Sequence, residues 1–554
     1  MPYPFLAKLL DDAAWRLGRT GTWLIIAAFV TLAAIFCAGR AWSIVNPFIA
    51  NDGTTVIYAQ FARNLLRYPL SETSALMADL VGNPAHTLIS GASRTFYADH
   101  PPALVWLIAA VNRFLVADPV VAARATSIIA SIGMGVVLLA FVYRRVAPLP
   151  AVGATFVLLT LNLYWEHAVV GNFEPVTAFF MAAAGAAFAR YLRQPTTARL
   201  AAAAALWVAG MLCDWPAYLL GAPFAAALLR RRQWRLLVFF TALGSGAMAA
   251  VFAHLLLGGT GMSVSGFFAG TFDYDAHQTS YRDTLAPIFT LLIRGFWWWA
   301  LFLVLPFLTL FRRAAMREDA QDLYFVFLAF LFVGLANDLL FNQWAKEHSF
   351  WSYYLIPAAG VGAAITFQAL HETRVRSRTA AISLRAGALA LFVLGAVSSG
   401  RHMVFFLRSH FYQPTTMAEM LDARGLKDML DRDSVLVVPP YCGGPRNDAR
   451  RGVAPGCDIY SGPGSLARYA FDKQALAASH FAASQTGCGK AFAIVKDPRA
   501  ATRVARLAVT STEVPWFQWH VLRLSQLPPR YCEDPAQLFA DLRLSPLTRP
   551  DGAD

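Results

Sequence analysis

The chain has 554 residues, 57% hydrophobic and only 15% charged, with a mean hydropathy of +0.46, which excludes an ordinary soluble globular protein and a disordered one. Its 47 Lys and Arg residues outnumber 34 Asp and Glu, for a net charge of +13. The arginines cluster beside apolar stretches and read as membrane-topology signals, which removes the main case for a nucleic-acid partner.

The first 22 residues carry Lys8, Arg16 and Arg19 with no convincing cleavage site after the apolar run, so the first apolar stretch reads as an anchor that is retained. Apolar stretches long enough to span a bilayer fall at about 22–39, 119–143, 150–165, 175–191, 199–213, 216–229, 234–257, 287–311, 321–341, 351–370 and 384–401. The clusters Arg144-Arg145, Arg190/Arg193/Arg199, Arg230-Arg231-Arg232/Arg235, Arg312-Arg313/Arg317 and Arg374/Arg376/Arg378/Arg385 occupy every second loop. The positive-inside rule puts them all in the cytoplasm with the basic N-terminus. Residues 102–117 are apolar too, but counting them as a span inverts every later loop. They are therefore assigned to a helix lying in the interface, with Trp106 near the headgroups. The expected fold is an α-helical polytopic membrane domain over 1–401, with about eleven spans plus juxtamembrane helices, and a soluble domain over 402–554 on the outer side.

The outer loops are 40–118, 166–174, the Asp214-Trp215 corner, 258–286 and 342–350. They hold nearly all the ionisable residues near the membrane that are not arginine topology markers. Span interiors are almost free of charge, Asp338 and Arg294 being the nearest exceptions. Transporters place charges mid-span at broken helices, so this asymmetry favours chemistry at the outer surface on a substrate with a membrane-embedded tail.

Asp52, in Asn51-Asp52-Gly53 just after the first span, is either a solvated turn or a functional carboxylate at the membrane boundary. Glu174 beside Pro175 suits a helix start through the helix dipole, and Glu166 is the nearby alternative acid. His100 either contacts substrate or packs against Trp106. Arg94 and Arg282 are loop guanidinium groups, suited to phosphate by two-bond pairing or simply solvated. Lys346, Glu347 and His348 form a charged trio at a boundary, where snorkelling with a local ion pair is the plain alternative. Trp215 reads as an interface anchor.

Several of these residues occur in a recognisable order. Asp52 is followed by a helix with Tyr58, Phe61, Ala62 and Arg63, then His100-Pro101-Pro102 with Leu104, then Gly171-Asn172-Phe173-Glu174-Pro175. Later comes Glu347-His348-Ser349-Phe350-Trp351-Ser352-Tyr353-Tyr354-Leu355-Ile356-Pro357. Over roughly residues 20–370 this order resembles the GT-C glycosyltransferases, nearest the protein O-mannosyltransferase and lipid A aminoarabinose transferase group. The resemblance implies a sugar donor on polyprenyl phosphate and inverting single displacement, with Asp52 as general base on the acceptor hydroxyl. It makes Glu174 the second acid, orienting the acceptor or holding a cation. It sets His100 where the aminoarabinose transferases carry a Lys that contacts the donor phosphate. Tyr58, Arg63, Arg94, Glu166, Arg282, Lys346, Glu347, His348 and Tyr353 become substrate-binding candidates.

No cofactor is expected. A divalent cation is the alternative, through Asp52, Glu166, His167, Glu174 and His348. There is no Asp-x-Asp near Glu174, although Asp273-x-Asp275 occurs later. The implied partners are the polyprenyl-phosphate sugar and an envelope glycolipid, lipid A, glycan or protein acceptor. The implied location is a bacterial inner membrane with the site facing the periplasm. A lipid-linked sugar flippase without covalent chemistry and a structural scaffold are the competing readings.

After residue 402 the spans stop and a small α/β domain is expected. Its strands are read at 434–438, 491–495 and 517–524, and its helices at 466–479 and 500–507. Four of the six cysteines, Cys442, Cys457, Cys488 and Cys532, fall here, while Cys37 and Cys213 sit in spans. Disulfides suit an outer domain. Pairing stays open, with Cys442–Cys457 and Cys488–Cys532 the favoured set.

Overall fold

The computed structural model describes residues 26–31, 53–77, 100–258, 281–310, 318–341, 345, 349–372, 390, 393–395, 397, 398, 400, 401, 435–438, 474–477, 491–496, 512–514 and 519–541. Helices α1 (Gly53–Arg67) and α2 (Leu70–Thr73) precede α3 (Ala103–Phe114). The 12 residues of α3 cover about 18 Å at 1.5 Å per residue, too short for a hydrocarbon core of about 30 Å. Trp106, Phe114 and Leu115 on it are exposed, as suits the surface helix read over 102–117.

The bundle continues with α4 (Pro119–Val142), α5 (Pro148–Thr160), α6 (Asn162–Ala168), α7 (Phe173–Arg193), α8 (Thr197–Cys213), α9 (Pro216–Leu219), α10 (Gly221–Arg230) and α11 (Trp234–Leu257). Then come α12 (Tyr281–Phe296), a 3-10 turn (Trp297–Ala300), α13 (Leu301–Leu310), α14 (Glu318–Leu340), a 3-10 segment (Ser349–Leu355) and α15 (Ile356–Glu372). Among the described residues five helical stretches are long and apolar enough to cross a membrane: Pro119–Val142, Phe173–Arg193, Trp234–Leu257, Gln321–Leu340 and Phe350–Glu372.

Local sequence sets the helix starts. Pro119 lies in the first turn of α4, and the Asp118 carboxylate accepts from the N–H groups of Val120 and Val121 at 2.9 and 3.1 Å. Asn172 Oδ1 accepts from Phe173 N–H at 3.0 Å at the start of α7. Thr196 caps α8 through Arg199 N–H at 3.3 Å.

Several stretches read as single spans are broken. The stretch 150–165 breaks at Leu161, whose backbone is extended at φ −78°, ψ 114°, so Glu166 sits on a short helix and not in a loop. The break releases two carbonyls in apolar surroundings, and two indoles take them. Trp165 Nε1 donates to Leu159 O at 2.5 Å, and Trp299 Nε1 donates to Thr160 O at 3.3 Å. The stretch 287–311 begins earlier, at Tyr281, and breaks at Trp297, which has a left-handed φ of 50°. Arg282 is therefore in the first turn of α12. Hydropathy cannot place such breaks, because what permits them is a neighbouring side chain that satisfies the freed backbone.

The helix ends sort into two groups. At one end Arg145 pairs with Asp322 at 2.9 Å, Gln368 Oε1 accepts from Ala147 N–H at 2.8 Å, and Arg231 donates to the Leu192 carbonyl. These contacts join the end of α4 to the start of α14, the end of α15 to the start of α5, and the end of α10 to that of α7, where the arginine clusters lie. The opposite end gathers the start of α7, the ends of α8 and α14, and the 3-10 segment before α15. Of the arginine clusters read from the loops, those at 144–145, 190–199 and 230–235 lie at the first end, and those at 312–317 and 374–385 lie outside the described residues.

The main apolar core lies among α4–α8, α10, α11 and α13–α15. Close approach is built in at Gly362 of α15, where a methyl group would collide with the Phe302 carbonyl. A second cluster at the polar end joins α1, α3 and the first turns of α4 and α7 around Tyr58, Leu104, Val120 and Phe173.

Beyond residue 402, β1 (Val435–Val438), β2 (Gln474–Ala477), β3 (Ala491–Lys496), β4 (Thr512–Val514) and β5 (Trp519–Arg523) form one sheet in the order β2-β1-β3-β5-β4. Strands β1, β2 and β3 pair in parallel, and β5 pairs antiparallel with β3 and β4. Residues 474–477 are strand where local pattern reads helix over 466–479. Pairing of Gln474–Ala477 with Val435–Val438 overrides the helix preference of its Ala and Leu. Phe492 of β3 joins the apolar cluster at the polar end of the bundle, so the sheet meets that end. Two short helices, α16 (Pro529–Glu533) and α17 (Pro535–Asp541), follow.

Candidate functional site

Four segments far apart in sequence meet at the polar end. His100 lies just before α3, held by Pro101-Pro102. Phe173 and Glu174 are in the first turn of α7. Asp214 follows α8 with an extended backbone, φ −160°, ψ 155°, ahead of Pro216. Tyr354 comes from the 3-10 segment.

Asp214 is the hub. It is 3% exposed. Its Oδ1 lies 2.8 Å from His100 Nδ1 and accepts from Trp215 N–H at 2.8 Å, while Oδ2 accepts from the Tyr354 hydroxyl at 2.6 Å. The His100 ring stacks on Phe173 at 4.3 Å and 16°, and Tyr58 meets Phe173 edge-on at 4.8 Å. Glu174 is buried within electrostatic reach of Asp214, and its Oε2 has no hydrogen-bond partner among the described residues. Two carboxylates, an imidazole and a phenol thus share one site at the end of the bundle. Buried acids are costly and are kept where they bind or react. The set offers donors for an anionic group and an acceptor for a hydroxyl.

The sequence-derived candidates divide. Tyr58, His100 and Glu174 belong to this cluster. Arg63 is half-buried on α1. Glu166 is half-buried on α6, and Tyr353 lies in a neighbouring network. There the Tyr353 hydroxyl is 3.0 Å from Ser131 Oγ, Tyr164 donates to Ser131 O at 2.5 Å, and His167, next to Glu166, meets the rings of Phe350 and Tyr353 at 5.9 and 6.3 Å. His100 does not pack on Trp106: that indole donates to Ala75 O at 2.7 Å and pairs with His254 at 6.0 Å. Asp52, Arg94, Lys346, Glu347 and His348 lie outside the described residues, as do Cys442, Cys457 and Cys488, while Cys532 sits in α16. Among the described residues no three His, Cys, Asp or Glu side chains gather as metal ligands.

Sequence reasoning singled out Tyr353 and noted Asp214 only as an acid of an outer corner. The signals are slight: an acid interrupting an apolar run just before a proline, and two adjacent tyrosines of which the 3-10 geometry, about 120° per residue, sends only one to the site.

The fold and this site define a membrane-embedded helical bundle with a polar site at one end. No protein-family profile matches the sequence, and no curated protein matches it. Among solved structures, ArnT from Cupriavidus metallidurans in the apo state is similar over 92% of this chain and 99% of that one, at TM-score 0.56 and 14% identity. ArnT from the same organism bound to undecaprenyl phosphate is similar over 91% and 98%, at TM-score 0.55 and 14% identity. The oligosaccharyltransferase AglB from Archaeoglobus fulgidus, in complex with an inhibitory peptide and a dolichol-phosphate, follows over 91% and 75% at TM-score 0.49 and 10% identity. The likeness to ArnT, at 14% identity, shows the fold alone: this chain shares its architecture over nearly the whole of both chains.

Proposed function

We propose that the protein is an integral membrane glycosyltransferase. It moves a sugar from a polyprenyl-phosphate donor to an envelope acceptor on the periplasmic face of a bacterial inner membrane. The observation that carries this reading is the convergence of His100, Glu174, Asp214 and Tyr354 at one end of a bundle whose fold is shared with ArnT, solved with undecaprenyl phosphate bound. A site at the membrane boundary suits a donor whose tail stays in the bilayer while its head reacts.

In the proposed reaction Asp52 takes the proton of the acceptor hydroxyl as its oxygen bonds to the sugar's C1. The bond from C1 to the phosphate oxygen breaks on the opposite face, so configuration inverts and polyprenyl phosphate departs with the bonding pair. Glu174 orients the acceptor hydroxyl. His100 on one side, with Arg94 and Lys346 from the outer loops and Arg282 from the first turn of α12, stabilises the charge that grows on the phosphate. Tyr58, Arg63, Glu166, Glu347, His348 and Tyr353 complete the lining. No metal or cofactor step is invoked. Glycolipids, lipid A among them, and glycans rank above proteins as acceptors. Disulfides among Cys442, Cys457, Cys488 and Cys532 fit an outer domain.

The test uses purified protein in nanodiscs with a panel of radiolabelled polyprenyl-phosphate sugars. Wild type is expected to transfer sugar or slowly release it to water, and Asp52→Asn to lose at least about a hundredfold in turnover, as for removal of a positioned base. Equal turnover in both proteins removes Asp52 from its role. Donor binding with no turnover of any sugar contradicts the enzyme and supports a flippase.

A further inference from the structure

Asp214 has no part in the proposed bond-making steps, yet more of the site runs through it than through any other residue named above. Its oxygens reach a side chain from the first outer segment and one from the last, while its own backbone is fixed by α8 and Pro216. An ionised Asp214 accepts from both partners, so His100 presents Nδ1–H and Tyr354 its O–H. That bond sets the rotation of the His100 ring, Phe173 covers one face, and Nε2 is turned away from Asp214. Exposure orders the pair: the His100 side chain is 19% exposed and that of Asp214 only 5%, so the imidazole stands in front and the carboxylate behind it.

A structural explanation is poor. A buried carboxylate loses several kcal/mol of hydration that a well-packed apolar residue would not, and this one lies within reach of a second acid, Glu174. What its geometry achieves is to hold the His100 ring from behind, with the Tyr354 hydroxyl fixing the carboxylate in turn. We propose that Asp214 is the positioning residue of the donor site, orienting the His100 imidazole so that Nε2, protonated in the cationic ring, meets the anionic head of the lipid carrier. This rests on the glycosyltransferase reading above. Asp214 touches no substrate and acts through His100, as the outer carboxylate does behind a metal-bound or catalytic histidine.

The test is equilibrium binding of undecaprenyl phosphate to nanodisc-embedded wild type, Asp214→Asn, His100→Ala, Tyr354→Phe and the double variant Asp214→Asn/His100→Ala, with thermal unfolding of each. Asp214→Asn is expected to bind about tenfold more weakly, as for loss of one charge-assisted bond. The double variant is expected to bind no more weakly than His100→Ala alone, because Asp214 acts through His100. In turnover Asp214→Asn is expected to raise the donor KM and to lower kcat by no more than His100→Ala does. Binding equal to wild type, or effects of Asp214→Asn and His100→Ala that multiply independently, overturns the proposal. If Asp214→Asn does not fold, Tyr354→Phe and His100→Ala probe the same bonds from the partner side, and wild-type binding in both overturns it equally. A wild type that does not bind undecaprenyl phosphate at all removes the glycosyltransferase reading, and this inference with it, an outcome distinct from the others.

Discussion

Glu174 and Asp214 are a poor choice for stability and a good one for chemistry. Glu174 is buried, lacks a hydrogen-bond partner for Oε2 among the described residues, and feels a second acid nearby. Glu174→Gln keeps the shape and removes a buried ionisable group set near a second acid. It is therefore expected to raise the melting temperature or leave it unchanged, while lowering transfer by about tenfold or more, the pattern of a site strained for function. Thermal unfolding and donor turnover on one preparation check this, and a marked loss of stability contradicts it. Glu174 and His100 were legible because they stand beside Pro and aromatic residues in a recognisable order. Asp214 was legible only as a loop acid, since its importance comes from two partners more than a hundred residues away, which no local pattern encodes.

The helices were legible where composition decides them and obscure where a neighbour does. Asp118-Pro119, Asn172 and Thr196 announce helix starts, and the short α3, buried on one face, follows from its length and the arginine alternation. The break at Leu161 depends instead on Trp165 and Trp299 reaching freed carbonyls, and the strand at 474–477 depends on β1. Trp299→Phe leaves the Thr160 carbonyl unpaired in apolar surroundings and is expected to cost about 1–3 kcal/mol, read as a lower melting temperature. Gly362→Ala forces a methyl group against the Phe302 carbonyl where α13 and α15 touch, and overpacking of this kind costs about 1–3 kcal/mol. Unchanged melting of the Gly362 variant contradicts that contact.

Taken whole, the molecule is two-ended. Arg145, Asp322, Arg231 and Gln368 mark one end, and His100, Glu174, Asp214 and Tyr354 the other, with β3 of the tail against the polar end. The arginine loops predict that the first end faces the cytoplasm. In spheroplasts an impermeant maleimide is expected to label Ala117→Cys, which is exposed beside α3, and to reach exposed Pro195→Cys only after permeabilisation. The reverse pattern inverts the topology. The proposed function requires that a lipid carrier place its phosphate at the His100 corner of the polar cluster. A cryo-EM map of the wild type in nanodiscs with undecaprenyl phosphate tests that most directly. Density for the phosphate within hydrogen-bond reach of His100, with the prenyl tail running into the bilayer, is the predicted result. A head group bound at the arginine end, or among the spans away from Asp214, would contradict it.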